Sequence, residues 1–225
     1  MTQTQISLRS AAAVFFDLDG TLLDTAPDLA RALNTVRIAD GLPAMPLARV
    51  RGFVSHGVPG LLRIGYDIGP DDARFASLRL RVLEAYEQGL CVDTQVFDGM
   101  EQVLDALDRH RIPWGIVTNK ASRFTGPIVA ALGLDRRASC VISGDSAARS
   151  KPFPDPLHMA ADQTRVAAHQ CVYVGDAERD IQAGRAAGMA TVAALFGYLK
   201  PDDDPHAWQA DVTIDRPQDL LTWLV

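Results

Sequence analysis

The chain has little that would suit it to a nucleic acid, a membrane or an oxidising compartment. Its 22 lysines and arginines are outnumbered by 28 aspartates and glutamates, giving a formal net charge of -6. There is no basic excess with which to neutralise a phosphate backbone, which argues against nucleic acid as a partner. Cysteine is scarce: Cys91, Cys140 and Cys171 are odd in number, far apart and without a C-x-x-C pair. They read as reduced thiols, with Cys140 and Cys171 buried in apolar runs, and point to a cytoplasmic protein. The start, Met1-Thr2-Gln3-Thr4-Gln5, lacks the basic and apolar stretches of a leader, and residues up to about Ser10 read as a loose polar tail. No apolar run approaches bilayer length, so no membrane partner is expected. Repeats and low-complexity tracts are also missing.

What is present is an ordinary globular composition, 48% hydrophobic and 22% charged over 225 residues, enough for one large domain or a core with an insertion. The chain is organised around Val14-Phe15-Phe16-Asp17-Leu18-Asp19-Gly20-Thr21. The apolar run predicts a buried parallel strand over 13–18, and carboxylates at its end need a reason. In open α/β sheets that end is where ligands bind. One reason is phosphoryl chemistry: Asp17 as a carboxylate nucleophile, Asp19 as the acid that protonates a leaving alcohol and then the base for water. Two such close carboxylates call for a cation such as Mg²⁺. Taken alone, a strand followed by an Asp-Gly turn accounts for the pattern equally well.

Thr25-Ala26-Pro27-Asp28 reads as a helix start, and helical spacing continues through Leu29, Leu33 and Val36 to a stop at Asp40-Gly41. From Leu47 to Leu90 the pattern stays helical, and no strand is needed between Leu22 and Cys91. A crossover needs only a dozen or so residues, so this stretch predicts a helical cap domain over 24–93, hinged near Leu23–Thr25 and Val92–Phe97. Residues 11–23 and 94–225 are then the core. After Gly99 helices and strands alternate, with strands over 112–118, 140–143, 171–175, 190–195 and 212–214 and helices over 100–110, 124–132, 156–168, 181–187 and 218–224. That alternation predicts an α/β core, a doubly wound Rossmann-like parallel sheet with helices on both faces.

Three later strand ends carry polar groups. Thr118-Asn119 could hold a phosphoryl oxygen through the Thr118 hydroxyl and the Asn119 amide, or cap the next helix. Lys151, in the stiff loop Ser150-Lys151-Pro152-Phe153-Pro154, could neutralise a transferring phosphoryl group, or be solvated. Gly175-Asp176-Ala177-Glu178-Arg179-Asp180 puts two acids one helical turn apart, Asp176 placed to ligate a hard cation directly and Asp180 through water. Acids favoured by a helix dipole are the plain alternative.

Together, Asp17-x-Asp19-Gly20-Thr21, Thr118-Asn119, Lys151-Pro152 and Gly175-Asp176-x-x-x-Asp180 resemble the haloacid dehalogenase-like superfamily of phosphotransferases over nearly the whole chain. The resemblance implies that Asp17 is nucleophile and Mg²⁺ ligand, that Asp19 is acid/base and ligates Mg²⁺ through its carbonyl, that Thr118 and Lys151 bind the phosphoryl group, and that Asp176 ligates Mg²⁺. The superfamily's dehalogenases lack the second Asp, so Asp19 favours a phosphatase or mutase. Ala177 stands where many members carry Ser or Thr. Leu22 to Asp28, Arg51 to Gly57, Val117 to Lys120 and Phe196-Gly197-Tyr198 look most like the phosphoglycolate phosphatase group. Trp114 to Lys120 and Phe196 through Pro205-x-x-Trp208-x-x-Asp211 look like a sister branch acting on N-acetylmuramic acid 6-phosphate. The expected partner is a small phosphorylated metabolite, 2-phosphoglycolate first, and the expected assembly a monomer or homodimer. A phosphomutase and a phospho-accepting signalling domain are the other readings, although Asp19 and the long insertion argue against the latter. His56, Arg51 and Arg63 are candidate substrate contacts from the cap; His110, His158, His169 and His206 are expected on the surface.

Overall fold

A computed structural model describes residues 11–224, so the polar tail expected up to Ser10 lies outside the described residues. The apolar run forms β1, Ala13–Phe16, with every residue buried. The expected strand is shorter than 13–18 because the backbone turns at once: the amides of Leu22 and Leu23 both donate to the carbonyl of Leu18. A second two-residue strand, β2 at Leu23–Asp24, follows, and then the helices α1 (Ala26–Ala39), α2 (Leu47–Val50), α3 (Gly57–Tyr66) and α4 (Phe75–Gln88). A 3-10 turn over Arg51–His56 joins α2 to α3. The return is β3, Gln95–Val96, which pairs antiparallel with β2. This corrects the expectation of no strand between Leu22 and Cys91. Two residues are too few to show as alternation in a sequence, and the pair exists because both ends of the insertion come together there.

The rest alternates: α5 (Met100–His110), β4 (Trp114–Val117), α6 (Ser122–Ala131), β5 (Cys140–Ile142), α7 (Asp155–Thr164), β6 (Cys171–Gly175), α8 (Glu178–Ala186), β7 (Ala190–Ala194), β8 (Val212–Ile214) and α9 (Leu221–Leu224). Several helices depart from expectation: α6 begins at Ser122 rather than Phe124, and α9 begins at Leu221 rather than Gln218, after a 3-10 turn over Pro217–Leu220. α7 stops at Thr164, not Ala168, since Arg165 takes a left-handed φ of 57°. α8 begins three residues earlier than Ile181, because the Asp180 carboxylate accepts the Ala177 amide and fixes its first turn.

The six long strands form one parallel sheet in the order β5-β4-β1-β6-β7-β8. β1 is therefore central, flanked in register by β4 and β6. Alternation along β1 divides the core in two. Val14 and Phe16 pack with Val103, Leu104, Phe124 and the apolar faces of α1 and α3. Ala13 and Phe15 pack on the other face with Leu157, Ala160, Tyr173 and Ala183. A strand buried on both faces has no room for a polar side chain until it ends, so Asp17 is the first place in this strand where a carboxylate is tolerated. Cys140 and Cys171 are buried free thiols, as expected. No helix among the described residues is long and apolar enough to cross a membrane.

Candidate active site at the strand ends

The ends of β1, β4 and β6 and the loop after β5 meet at one point. Asp17 and Asp19 follow β1, Thr118 to Lys120 follow β4, Lys151 arrives from the β5–α7 loop, and Asp176 to Asp180 follow β6. Asp17, Thr118, Lys151, Asp176 and Asp180 are all buried.

The Lys151 ammonium is the hub. It lies 3.0 Å from Asp17 Oδ1 and 2.7 Å from Asp180 Oδ1. It also donates to the Val117 carbonyl at 3.0 Å and the Tyr173 hydroxyl at 2.7 Å. Two hydrogen bonds and two ion pairs fix its direction. The Tyr173 hydroxyl in turn donates to the Val117 carbonyl, and burial pushes its pKa well up, so it stays a neutral donor. Asn119 holds the Lys151 loop rather than pointing its side chain at a ligand. Its amide nitrogen donates to the Lys151 carbonyl at 2.9 Å, and its carbonyl oxygen accepts the Lys151 N–H at 3.0 Å.

Asp17, Asp176 and Asp180 each present an oxygen within 4.8 Å of the others, a group able to hold a metal ion. Three buried carboxylates face Lys151 and the Arg179 guanidinium, the latter 4.0 Å from Asp17 Oδ2. The charge is unbalanced, and burial pushes up the Asp180 carboxyl as well as that of Asp176. Burial first, then the Asp17 and Asp180 charges, push the Asp176 pKa up to about 7 against the Tyr198 N–H that it accepts. An all-oxygen set of carboxylates short of positive charge fits a hard divalent cation. The set is packed tightly: a Cβ on Gly20, whose φ is +87°, would lie 2.2 Å from Asp176 Oδ2, and one on Gly175 would lie 2.3 Å from the Asp180 Cβ. The Asp19 carboxylate is outside this trio. It accepts from the Thr25 hydroxyl at 2.5 Å and from Lys120 Nζ at 2.8 Å.

Sequence reasoning did not give Lys120, Arg179, Ser55, Tyr173 or Tyr198 a role. Lys120 is sequestered between Asp19 and the Tyr86 ring, whose centroid is 4.8 Å away. Burial would lower its pKa, but the Asp19 carboxylate and Tyr86 raise it beyond its ordinary value. Ser55, in the 3-10 turn of the insertion, donates to Asp176 Oδ2 at 2.8 Å. The Tyr198 hydroxyl accepts the Thr25 and Ala26 amides at 2.6 and 2.9 Å, closing the start of α1 over the core. Lys120, Ser55, Arg179 and Tyr198 each lie inside a stretch that stood out in the sequence, whereas Tyr173 is hidden within an apolar strand.

A cavity of about 520 Å³ opens over Asp17 and Asp19, walled by Thr118 to Ala121, Arg123 and Phe124 on one side and by Val54 to Pro59, Arg79, Leu83 and Tyr86 on the other. His56 lines it, as expected. Arg51 and Arg63 do not. Arg51 makes a two-pronged bridge to Asp24 at 3.0 and 2.9 Å. Arg63 faces solvent beside Asp67 at 3.5 Å, because its turn of α3 points away from the core. His110, His158, His169 and His206 are on the surface.

With this geometry in place, the likenesses are specific. Residues 14–194 match the haloacid dehalogenase-like hydrolase family, and the chain belongs to it. It is a hydrolase with the sequence and fold of that family's phosphatases. It is 47% identical over 213 residues to a phosphoglycolate phosphatase of Xanthomonas campestris pv. campestris, covering 95% of this chain and 96% of the relative. It is 39% identical to an N-acetylmuramic acid 6-phosphate phosphatase of Pseudomonas putida, covering 92% and 93%. Among solved structures, one described as a predicted phosphoglycolate phosphatase of Haemophilus somnus superposes with a TM-score of 0.81 at 26% identity, covering 98% and 99%.

Proposed function

We propose that this chain is a Mg²⁺-dependent phosphomonoester hydrolase that works through an aspartyl-phosphate on Asp17, with 2-phosphoglycolate as its first candidate substrate. The observation that carries the proposal is the Lys151 ammonium, held 3.0 Å from Asp17 by a shell of buried acceptors at the end of the central strand. It neutralises Asp17 as a phosphoryl group approaches and the charge that develops on transfer.

In the proposed cycle an Asp17 oxygen attacks phosphorus, the bond to the leaving oxygen breaks, and Asp19 gives that oxygen its proton. Asp19 then takes a proton from water as the water attacks the aspartyl-phosphate, which returns Asp17 as a carboxylate and releases phosphate. Thr118 and the Asn119 amide hold phosphoryl oxygens. Mg²⁺, held by Asp17, the Asp19 carbonyl and Asp176, with Asp180 reached through water, would supply electrostatic stabilisation of the transferring group. Thr25 and Lys120 orient Asp19. The insertion over 24–93 acts as a cap on the core of 11–23 and 94–225 and excludes water when closed. The β2–β3 pair at its two ends supports that reading, because it places both connections side by side as a hinge.

A second substrate, N-acetylmuramic acid 6-phosphate, is favoured by the cavity of about 520 Å³, which is far larger than a two-carbon acid needs, and by the Pseudomonas putida relative. Both candidates bear a carboxylate on the alcohol that leaves. Phosphate release with Mg²⁺ from these two, hexose phosphates and a nucleoside monophosphate tests the proposal. Release from one of the two acids, abolished by EDTA, is expected. No release from any, with EDTA making no difference, overturns it.

A further inference from the structure

The cavity over Asp17 is lined by four cations, Arg79, Lys120, Arg123 and Arg179, against two carboxylates, Asp17 and Asp19. This occurs in a chain whose formal net charge is -6. Two of the cations have partners: Lys120 holds Asp19, and Arg179 faces Asp17. Among the described residues neither Arg79 nor Arg123 has a carboxylate within 4.0 Å, which is also true of other exposed arginines such as Arg109 and Arg136; what sets these two apart is that both, though exposed, line the cavity.

The two free arginines come from opposite walls. Arg79 stands on α4 of the insertion, with Leu83 and Tyr86 following at helical spacing along the same wall. Arg123 is the second residue of α6 in the core, and its guanidinium lies over the Phe124 ring, 4.4 Å from the centroid. Stacking uses the face of the guanidinium and leaves its N–H edge free for an anion. Leu29, Val54, Val58 and Leu83 add apolar surface to a wall that also carries the polar Ser55, His56, Thr118 and Asn119. Charge–charge contacts gain strength beside such apolar surface.

We propose that Arg79 and Arg123 form a second anion site, separate from the phosphoryl site, that takes a carboxylate on the leaving group of the substrate. The proposal rests on the phosphomonoesterase reading above, in which both candidate substrates are acids. It makes these arginines the specificity determinants of the cavity, one contributed by the insertion and one by the core.

Matched pairs of substrates test it: 2-phosphoglycolate against 2-hydroxyethyl phosphate, and N-acetylmuramic acid 6-phosphate against N-acetylglucosamine 6-phosphate. Each pair differs in the carboxylate-bearing part. The wild-type chain is expected to favour the acid in kcat/KM by at least about tenfold in one pair. Arg79→Gln and Arg123→Gln are expected to bring that ratio towards one, and Arg109→Gln, the same charge change on an exposed face of α5, to leave it. A wild-type ratio near one, or a ratio that survives both substitutions, overturns the site. A hexose bisphosphate preferred over both acids, with that preference lost in the variants, overturns the carboxylate assignment. The second arm needs no turnover. Calorimetric binding of N-acetylmuramate but not N-acetylglucosamine, weakened in both variants, supports the site even where no phosphate is released. Equal binding of the two overturns it, so failure of the site and failure of the phosphatase reading are separable.

Discussion

Two buried carboxylates, one in the first turn of α1 and one at the strand ends, sit in opposite electrostatic states. Asp28 on α1 is 1% exposed and is fully provided for. It accepts from the amides of Val92, Asp93 and Thr94, from the Thr94 hydroxyl, and from Arg31. Burial alone would raise its pKa, but those donors win and hold it below the ordinary carboxylate value. Asp176 is also 1% exposed, yet it sits among two other carboxylates, and its pKa is driven up to about 7. One site is a finished ion that ties the far end of the insertion to the start of α1. The other is left short of positive charge, which is what a cation-binding and catalytic centre requires. The lesson is that burial does not settle a carboxylate's role; the number of donors aimed at it does.

The sharpest way to break this comparison is to remove a charge from each site. Asp17→Asn takes a carboxylate from the unfinished cluster. Turnover is expected to fall by about 10³-fold or more, since the proposed nucleophile goes. Stability should hold or rise, because repulsion among the three carboxylates is relieved; phosphate release and a thermal melt check both. A marked loss of stability would mean that the cluster is as self-sufficient as the Asp28 site.

The cation comes next in size. Mg²⁺ added at about 100 times its dissociation constant should stabilise the chain by about 2.7 kcal/mol, reversed by EDTA. Asp176→Asn should weaken that response, whereas Asp28→Asn should not. A melt indifferent to Mg²⁺ would remove the cation from the account.

The smallest expected effect is at Asp28. Asp28→Asn keeps the shape but loses the charged acceptor, at a cost of about 2 kcal/mol in urea unfolding near pH 7. The sign with pH follows from the depressed folded value. The stability due to the Asp28 charge is present above its unfolded value of 3.8 and is lost as pH falls through the lower folded value. The gap between wild type and Asp28→Asn should therefore be flat from pH 7 to pH 5 and shrink below about pH 3.8. A gap that widens on acidification would show that Asp28 is not held as an ion.

Most of the fold was legible because its signals are local. The β1 run, the glycine and proline stops, and the alternation after Gly99 are each readable within a dozen residues. Strand ends slipped by one or two residues where turns intervene, as at Asp17. β2 and β3 were not legible, since a two-residue strand exists only through a partner about 70 residues on, Leu23 against Val96 and Asp24 against Gln95. For the site, Asp17, Asp19, Thr118, Lys151, Asp176 and Asp180 stood out because polar groups at the ends of apolar strands are costly without a purpose. Asn119 stood out as well, but its side chain braces Lys151. Arg51 and Arg63 read as substrate contacts in the sequence, whereas the arginines that line the cavity are Arg79, Arg123 and Arg179, because nothing in spacing says which turn of a helix faces a cavity made by another part of the chain.

The sequence by itself determined the α/β class, the family, and which carboxylates and which lysine end the strands, because strand burial and turn chemistry are written in neighbouring residues. Only the tertiary structure decided that Lys151 reaches Asp17 and Asp180 together, that Asp176 is short of charge while Asp28 is not, and which arginines face the cavity. Those depend on side chains from distant segments entering one poorly solvated space, where a few ångströms decide whether a charge is paired.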